Sequence, residues 1–305
     1  MKILCINVRK GIGDQIIFLP FIHAISEKFK SPISLLAKKN SKAEELFSED
    51  SSIDEVINLN ENMDGIKGIL KLSKEIKNRN FDKIFIFNSS LRYNIVARLA
   101  GVKSIYQYPL FRKKDNIVLS AKIFTEDIIN KVVSTEPNLV VKNSEKLDER
   151  FKHICLGVSA SGPTKRWDIQ NYIRLAESIN KKIKCKFYIA GGKNDIALIN
   201  EFKSSKIKNN FISFENLSIK KTLPIIKNMN LMISNDTSWS HIAVSLKVKT
   251  LTLFMDSPIM AYGRYSSRMT TIEPIGEKDT TTHDTLGKDK ISFDEVYKKS
   301  IEMLN

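Results

Sequence analysis

The sequence predicts an α/β protein made of two doubly wound parallel-sheet domains that face each other across a cleft. Short apolar runs typical of buried strands alternate along the chain with segments whose apolar residues recur at helical spacing. The alternation restarts at Ile154, after a polar stretch that carries Pro137 and many charged residues. Because 305 residues exceed a comfortable single core, we expect two domains, residues 1–150 with the linker and residues 151–305. The last helix could pack back on the first domain.

Composition describes a globular protein with a strong positive charge. Lys and Arg number 49 against 34 Asp and Glu, a net charge of +15, which suits an anionic partner such as nucleic acid, a phosphorylated substrate or an acidic membrane surface. The lysines are spread thinly, so the charge alone selects none of these. No apolar run approaches the ~20 residues needed to span a bilayer, and the N-terminal apolar segment is too short for a signal peptide.

The three cysteines all lie in strand-like runs and form no Cys-x-x-Cys pair. Cysteines in such positions are typical of reduced core thiols, and we expect Cys5, Cys155 and Cys185 to be such thiols in a cytosolic protein.

The first domain opens with a strand, a glycine turn and a helix. Residues 3–8 are a buried-strand pattern, and Gly11-Ile12-Gly13-Asp14 follows it. A dinucleotide-binding fingerprint is excluded, because Ile16 stands where the third glycine would be and the next strand ends in Ala37-Lys38 instead of a ribose-binding acid.

The remaining elements follow from periodicity and capping residues. Asp168 is a plausible helix N-cap, Gly101 closes a helix, and Ser292 with Glu295 forms a capping box. Strands are predicted at 33–36, 55–59, 83–87, 154–158, 185–190, 211–214, 231–235 and 251–254, and helices at 66–77 and 92–100, after Asp168, from Ser218, near 242–246 and from Ser292 to about 304.

The stretch 231–244 turns abruptly from an apolar strand to a polar turn and then to a short helix. Asn, Asp, Thr and Ser cap helix N-termini, where free backbone N–H groups and the helix dipole favour an anion. At the end of a strand in an α/β protein, such a turn is where ligands dock. The alternative is that Asp236 or Thr237 merely caps the helix and that His241 is a core histidine.

Polar groups expected at the carboxyl edges of both sheets suggest a transfer chemistry. Lys165, the nearby hydroxyls and the helix N-terminus after Asp236 could hold a diphosphate without a metal and stabilise it as a leaving group. Asp195 could accept hydrogen bonds from a ribose. Asp14, on the opposite domain, could act as general base toward an attacking hydroxyl, although it could instead cap the helix behind it.

Residues 106–114 place aromatic side chains beside a basic cluster that includes Arg112 and Lys113. One interpretation is a solvated loop with a few packed rings. The other is an electrostatic contact for a phosphorylated acceptor, to which Arg92 could also contribute.

Three stretches, in this order, resemble the motifs of glycosyltransferase family 9. They are Gly11-Ile12-Gly13-Asp14 with a downstream Pro20, residues 161–167, and Asn235-Asp236-Thr237 followed by His241. That family contains the ADP-heptose:lipopolysaccharide heptosyltransferases of Gram-negative bacteria. The resemblance covers the chain from residue 1 to about residue 265.

The resemblance implies GT-B architecture, two Rossmann-like domains, and an inverting, metal-independent transfer of a heptose or related sugar from an ADP-sugar to a lipopolysaccharide or surface-glycan acceptor. It places the catalytic base at Asp14 and the phosphate-binding lysine at Lys165. One departure is Ser238, where the family has glycine, which could loosen the approach of the backbone to the phosphates or change the bound sugar. The donor-binding residues so predicted are Gly13, Ser159, Ser161, Lys165, Asp195, Asp236, Thr237, Ser238 and His241.

We therefore expect a cytoplasmic glycosyltransferase that is peripheral to the inner membrane, with a nucleotide-sugar donor, an anionic lipopolysaccharide-type acceptor and no nucleic-acid partner. No metal cofactor is expected, because the chain has no Asp-x-Asp and its four histidines are widely separated. The alternatives are a nucleotide-sugar epimerase of the same architecture, which needs no acceptor, and a nucleotide-binding relative without catalysis. The segment 266–290, with Thr280-Thr281-Thr282-His283, has no assigned role.

Overall fold

The computed structural model describes residues 1–59, 63, 65–110 and 117–305. The chain divides into two compact units, residues 1–140 and residues 141–305, and each contains one parallel sheet.

The first unit is a five-stranded parallel sheet with helices on both faces. Its strands are β1 (Ile3–Asn7), β2 (Ile33–Lys38), β3 (Ile53–Leu59), β4 (Lys83–Ile86) and β5 (Ser104–Gln107), and its helices are α1 (Ile12–Phe29), α2 (Ala43–Phe47), α3 (Gly65–Arg79), α4 (Leu91–Leu99) and α5 (Ile117–Ile129). The strand order is β3-β2-β1-β4-β5. The chain starts in the centre of the sheet and winds outward in both directions, which places the β1–α1 turn at the topological switch point.

Two separate clusters of apolar side chains hold the helices of the first unit to its sheet. On one face α1 packs against α5 through edge-on aromatic contacts, with ring centroids of Phe18 and Phe87 5.6 Å apart and those of Phe87 and Phe124 5.4 Å apart. On the other face α3 packs against α4, and Leu72 and Val96 meet the β1 side chain of Ile6. Both faces of the sheet are thus covered, as parallel sheets require.

The second unit is a six-stranded parallel sheet in the order β11-β10-β9-β6-β7-β8. Its strands are β6 (Lys152–Gly157), β7 (Cys185–Ala190), β8 (Phe211–Ser213), β9 (Leu231–Asn235), β10 (Thr250–Leu253) and β11 (Met269–Ile272), and its helices are α6 (Ile169–Asn180), α7 (Ile196–Lys203), α8 (Ile219–Ile226), α9 (Ser238–Ser245), α10 (Ile259–Tyr262) and α11 (Phe293–Leu304). The prediction of two doubly wound parallel-sheet domains is confirmed.

The division between the units falls at residues 140 and 141, whereas the sequence suggested residue 150. The difference has a local cause, because the polar stretch after residue 140 is bonded to α8 of the second unit. Lys227 Nζ donates to the Val141 carbonyl over 2.7 Å, and Asn228 Nδ2 donates to the Glu145 carbonyl over 2.9 Å. The last helix, α11, packs on α6 and β9 of its own unit.

Several short elements were missed by periodicity. Tyr106 and Gln107, which the sequence placed in a loop, lie in the edge strand β5. The ring of Tyr106 stacks on that of Phe85 in the neighbouring strand, with centroids 4.7 Å apart, so a cross-strand contact stabilises a strand whose own pattern is weak. The helices α2, α5, α7 and α10 and the strand β11 were also unpredicted.

The predicted caps and core thiols are largely confirmed. Asp168 accepts a hydrogen bond from Gln170 N over 2.7 Å at the start of α6, and Ser292 Oγ accepts from Glu295 N over 3.3 Å at the start of α11. All three cysteines are buried and form no disulfide, and burial raises the pKa of each thiol. Within the described ranges, no helix combines the length and the apolar composition that crossing a membrane requires.

Candidate active site

The turn between β1 and α1 holds Asp14 in the first turn of the helix. Gly11, and not Asp14, occupies the N-cap position, and Asp14 Oδ2 accepts a hydrogen bond from Gly11 N over 3.1 Å. The carboxylate is half-buried at the positive end of an 18-residue helix. A Cβ atom on Gly11 would lie 2.8 Å from Asp14 Oδ2, so a larger residue there would displace the carboxylate from its present position.

Two side-chain amides fix this turn against the sheet. Gln15 Nε2 donates to the Asn7 carbonyl over 3.1 Å, and Val8 N donates to Asn88 Oδ1 beyond the end of β4 over 3.0 Å. Gly13 is buried beneath the turn. The backbone around Asp14 is therefore held by bonds from β1, β4 and α1.

In the second unit, Asn235 at the end of β9 connects two loops. Its Oδ1 accepts from Trp167 N over 3.1 Å and from the Tyr172 hydroxyl over 3.0 Å, while its Nδ2 donates to the carbonyls of Val158 and Ser159, both over 3.1 Å. The residue is fully buried, and burial raises the pKa of the Tyr172 phenol, which keeps it a neutral donor. Both ends of the loop 159–167 are thereby tied to the turn after β9.

That turn carries a chain of polar contacts centred on His241. Asp236 Oδ1 lies 3.7 Å from His241 Nε2, and its Oδ2 accepts a hydrogen bond from the Ser257 hydroxyl. On the other side of the imidazole, Nδ1 lies 2.6 Å from the Tyr265 hydroxyl. His241 and Tyr265 are both buried. Their contact orients the ring and leaves Nε2 toward Asp236.

Of the alternative interpretation, one part is confirmed and one is not: His241 is a buried histidine with a hydrogen-bond partner, but no side chain of this turn caps α9. Thr237 occupies the N-cap of α9, but its side chain accepts no hydrogen bond from the helix and instead lies 3.3 Å from Ser234 Oγ. The first-turn N–H groups of α9 therefore lack a side-chain cap, which is the arrangement that binds anions. Ser238 has no positive φ, so the backbone itself does not require the glycine that the family has there.

The loop after β6 brings Lys165 to the same region of the sheet edge. Ser159 is half-buried and Ser161 exposed, and Lys165 ends a single 3₁₀ turn with Nζ 3.4 Å from His283 Nδ1. His283 is 118 residues from Lys165 along the chain, so no local pattern in the sequence indicated that the two side chains meet.

Asp195 follows β7, and both of its carboxylate oxygens have partners within the protein. Its Oδ2 accepts from Gly192 N over 2.9 Å and fixes the Gly-Gly turn, while its Oδ1 lies 3.7 Å from Arg166 Nη2. Its role toward a ribose stays a prediction.

The strand order brings the predicted donor residues of the second unit to one edge. Strands β10, β9, β6 and β7 are consecutive neighbours, and the polar residues that follow them are Asp256, Asp236, Ser159 and Asp195. The carboxyl ends of neighbouring parallel strands meet at one edge, so these loops form one continuous polar rim.

The structure gives less support to the predicted acceptor-binding residues. Arg92 lies in the first turn of α4 and donates from Nη1 to the Gly65 carbonyl over 3.3 Å and from Nη2 to the Met63 carbonyl, which ties α4 to the start of α3. Arg112 and Lys113 lie outside the described residues.

Sequence reasoning missed two residues of this site and the structural role of a third. Tyr265 and Ser257 orient His241 and Asp236, and Asn235 ties the two loops together. Only Asn235 had a local signal, as a polar residue that closes an apolar strand. Among the residues that the structure describes, no three His, Cys, Asp or Glu side chains come together as a metal-binding group.

The model of glycosyltransferase family 9 (heptosyltransferase) matches residues 114–289, which is more than half of the chain. The chain belongs to this family. It is therefore a glycosyltransferase, and the resemblance carried by its three motifs is confirmed.

Heptosyltransferases are among the known proteins similar to this family 9 member. It is 26% identical over 272 residues to lipooligosaccharide heptosyltransferase 2 of Campylobacter jejuni, covering 83% of this chain and 81% of that protein. The structure of E. coli ADP-heptose lipopolysaccharide heptosyltransferase II superposes with a TM-score of 0.78 at 17% identity, over 100% of this chain and 98% of that one. E. coli heptosyltransferase WaaC with ADP gives 0.78 at 11% identity, over 99% and 100%. At such identities the structural likeness shows the fold, which is GT-B.

Proposed function

We propose that this enzyme transfers a heptose, or a closely related sugar, from an ADP-sugar to a lipopolysaccharide-type acceptor, with inversion and without a metal. The observation that carries the proposal is the polar rim of the second unit. There Asn235 ties the loop that carries Lys165 to the start of α9, whose first N–H groups have no side-chain cap. Family membership supports the glycosyl transfer, and the relatives' names support heptose and ADP as the sugar and the nucleotide.

The second unit supplies the groups that hold the leaving diphosphate. The N–H groups at the start of α9 and the ammonium of Lys165 offer fixed positive charge, and the hydroxyls of Ser159, Ser161, Thr237 and Ser238 offer further donors. Groups already aimed at the place where charge develops cost no reorganisation in the transition state. His241, held by Tyr265 and lying beside Asp236, supports this turn.

The reaction we propose is a single displacement. The acceptor hydroxyl oxygen attacks the anomeric carbon through an oxocarbenium-like transition state, while the bond to the diphosphate oxygen breaks and its electron pair leaves with ADP. The hydroxyl proton passes to a carboxylate oxygen of Asp14, which acts as general base from its place in the first turn of α1. One displacement inverts the anomeric configuration.

The same set of groups supports the proposal that no metal is needed. A nucleotide-diphosphate leaving group needs neutralising charge, and in this enzyme Lys165 and the α9 N-terminus supply it. In the described part of the chain, the acids of the rim have protein partners. Asp256 Oδ1 accepts from Leu286 N over 2.9 Å, and Asp236 and Asp195 make the contacts given above.

Transfer with purified components tests the proposal and separates it from the epimerase alternative. The enzyme is incubated with ADP-heptose with and without a lipopolysaccharide acceptor that lacks its heptose, and the product anomer is identified by NMR. Acceptor-dependent ADP release with an inverted anomeric centre is expected. Conversion of the donor without acceptor would establish an epimerase, and an absence of any turnover would indicate a non-catalytic nucleotide-binding relative.

A thermal-shift panel with ADP-, UDP-, GDP- and CMP-sugars identifies the nucleotide. A ligand that binds only the native state raises its stability by mass action, so the ADP-sugar should give the largest shift. A larger shift with UDP-sugars would replace ADP in the proposal.

We further propose that the enzyme works in the cytoplasm at the inner-membrane surface. The support is the lipooligosaccharide acceptor in the relatives' names and the net charge of +15, which favours an anionic surface. Fractionation of cells that express the tagged chain would test it, with recovery in salt-washable membranes expected.

A further inference from the structure

The outer face of α3 and α4 in the first unit exposes five large apolar side chains. Ile66 and Leu70 on α3 and Leu91, Ile95 and Leu99 on α4 are between 45% and 79% exposed. Single exposed apolar residues are normal on protein surfaces, but a contiguous group indicates an interaction surface.

Helix geometry makes these five side chains one patch. Leu91, Ile95 and Leu99 succeed one another one turn apart, as do Ile66 and Leu70, so each set forms a stripe along its helix. The two helices pack side by side, and the bond from Arg92 Nη1 to the Gly65 carbonyl fixes their starts together. Successive residues of an α-helix are rotated by about 100° about its axis. When the buried residues of α3 face the sheet, this rotation places Ile66 and Leu70 on the side of α3 that faces α4.

Cations border this apolar patch. Lys67, Lys71 and Lys74 are exposed on α3, and Arg98 is exposed on α4. The single acid in the two helices is Glu75, whose Oε1 lies 3.5 Å from Arg79 Nη2. Long basic side chains can lay their apolar stems along such a patch and keep their charges at its border.

We propose that this α3–α4 face docks on an anionic lipid surface. The combination of exposed apolar side chains with a one-sided basic border fits the interfacial region of a bilayer that contains acidic lipids. The proposal rests on the proposed function in one respect, because it takes the Asp14 turn as part of the active site. Helices α3 and α4 both begin at the carboxyl edge of the sheet, where that turn lies. Docking by their outer face would bring this edge near the membrane, where a lipid-anchored acceptor is held.

Vesicle co-sedimentation tests the docking face. The full-length enzyme is mixed with vesicles of phosphatidylcholine alone or with phosphatidylglycerol. We expect binding to the anionic vesicles only, weakened about 10-fold or more by Ile95→Ser with Leu99→Ser, since each change removes a large apolar contact. Lys67→Glu with Lys71→Glu should weaken binding similarly, and salt should mimic that effect. Ile123→Ser is the matched control, because that residue is also half exposed but lies on α5, which packs with α1.

Activity toward a water-soluble acceptor sugar that lacks its lipid separates failure of the docking proposal from failure of the proposed function. All variants should keep wild-type activity on it, since none alters the polar rim or the Asp14 turn. Equal binding of wild type and variants, or no binding of wild type to anionic vesicles, would overturn the docking proposal alone. Gel filtration adds a further outcome: a wild-type dimer converted to monomer by the Ser variants would show instead that the face joins two copies of the chain.

A second, independent observation concerns the segment that the sequence left without a role. His283 Nδ1 lies 3.4 Å from Lys165 Nζ, and the residues on the C-terminal side of His283 are anchored to the loop after β10. Leu286 N donates to Asp256 Oδ1 and Gly287 N donates to the Met255 carbonyl, each over 2.9 Å. The imidazole is therefore presented to Lys165 by a segment fixed to the same rim.

We infer that His283 is a positioning residue for Lys165 in the diphosphate site, and this rests on the proposed function. An ammonium group has three donors and no acceptor, so an imidazole nitrogen that accepts one N–H leaves two for the phosphate oxygens. It also restricts a long side chain that otherwise loses much rotamer freedom when it binds.

Calorimetry with ADP and with adenosine tests this role. His283→Ala should lower the affinity for ADP about 3- to 10-fold and leave the affinity for adenosine unchanged. This loss is smaller than that of a charged hydrogen bond made directly to the phosphate, because His283 acts only through Lys165. His283→Gln, which keeps an acceptor, should restore much of the loss, and Lys288→Ala, an exposed cation of the same segment, serves as control. Equal affinity losses for ADP and adenosine would indicate a merely structural role, and unchanged ADP affinity would overturn the inference. An active enzyme with either result would leave the proposed function intact.

Discussion

Asp14 combines two properties that a general base needs, a fixed position and a half-exposed carboxylate. Its Oδ2 bond to Gly11 N holds the side chain in place without burying it. Asp14→Asn keeps the size and the acceptor oxygen, so fold and donor affinity should change little. Transfer should fall by about 10²–10⁴-fold, the usual worth of a general base. Steady-state kinetics beside a melting curve provide the measurement, and a lower melting temperature with normal specific activity would assign Asp14 to capping alone.

Lys165 and His241 both stand at the polar rim, but they differ in charge and burial. Lys165→Ala removes a full charge from a half-exposed position, and His241→Ala removes a buried ring held by Tyr265. We expect both to weaken ADP binding, with the larger loss at Lys165. Charged hydrogen bonds are worth roughly 1.5–3 kcal/mol, or about one to two decades in affinity. Isothermal titration with ADP measures both, and an unchanged Kd in Lys165→Ala would move the diphosphate site elsewhere.

At the scale of elements, Asn235 ties the end of β9 to the loop after β6. Asn235→Ala would remove one hydrogen-bond partner from each of four groups, the amide of Trp167, the hydroxyl of Tyr172 and the carbonyls of Val158 and Ser159. Since each buried group left without its partner costs about 1–3 kcal/mol before relaxation, we expect a loss of at least ~2 kcal/mol in the free energy of unfolding and weaker donor binding. Urea denaturation measures the first. Asn209→Ala, at an exposed asparagine, is the control, and equal stability of the two variants would contradict this account.

The elements also show where periodicity fails. Helices α1, α3, α4 and α6 were predicted because each repeats its apolar residues over several turns. The edge strands β5 and β11 are short and lack a continuous apolar run, and Tyr106 joins its strand through the ring of Phe85. Short edge elements depend on what their neighbours offer, and that information lies elsewhere in the chain.

At the scale of the whole molecule, the reaction should proceed without a divalent ion. The leaving diphosphate requires neutralisation, and Lys165 together with the α9 N-terminus can supply it. We expect full transferase activity in excess EDTA and little stimulation by Mg²⁺ or Mn²⁺. The alternative is that Asp195, Asp236 and Asp256 hold an ion at the rim. A rate that collapses on chelation and returns with added metal would establish that alternative and remove the proposed role of Lys165.

The sequence by itself determined the fold class and the chemical character of the rim. Strand and helix periods are properties of residues a few positions apart, and the polar residues that follow each strand must reach the carboxyl edge of a parallel sheet. The placement of Asp14, Lys165 and the turn from Asp236 to His241 at such edges could therefore be predicted from local patterns alone. Their motifs also indicated the family, which the comparison confirmed.

Only the tertiary structure decided which groups meet. Asn235 bonds to Trp167 over 68 residues, and Lys165 meets His283 over 118, because β9 pairs with β6 and the segment after β11 returns to the β10 loop. The apolar patch on α3 and α4 likewise exists only once two helices of ordinary amphipathic pattern lie side by side. Such contacts depend on strand order and helix packing, which no local pattern of residues specifies.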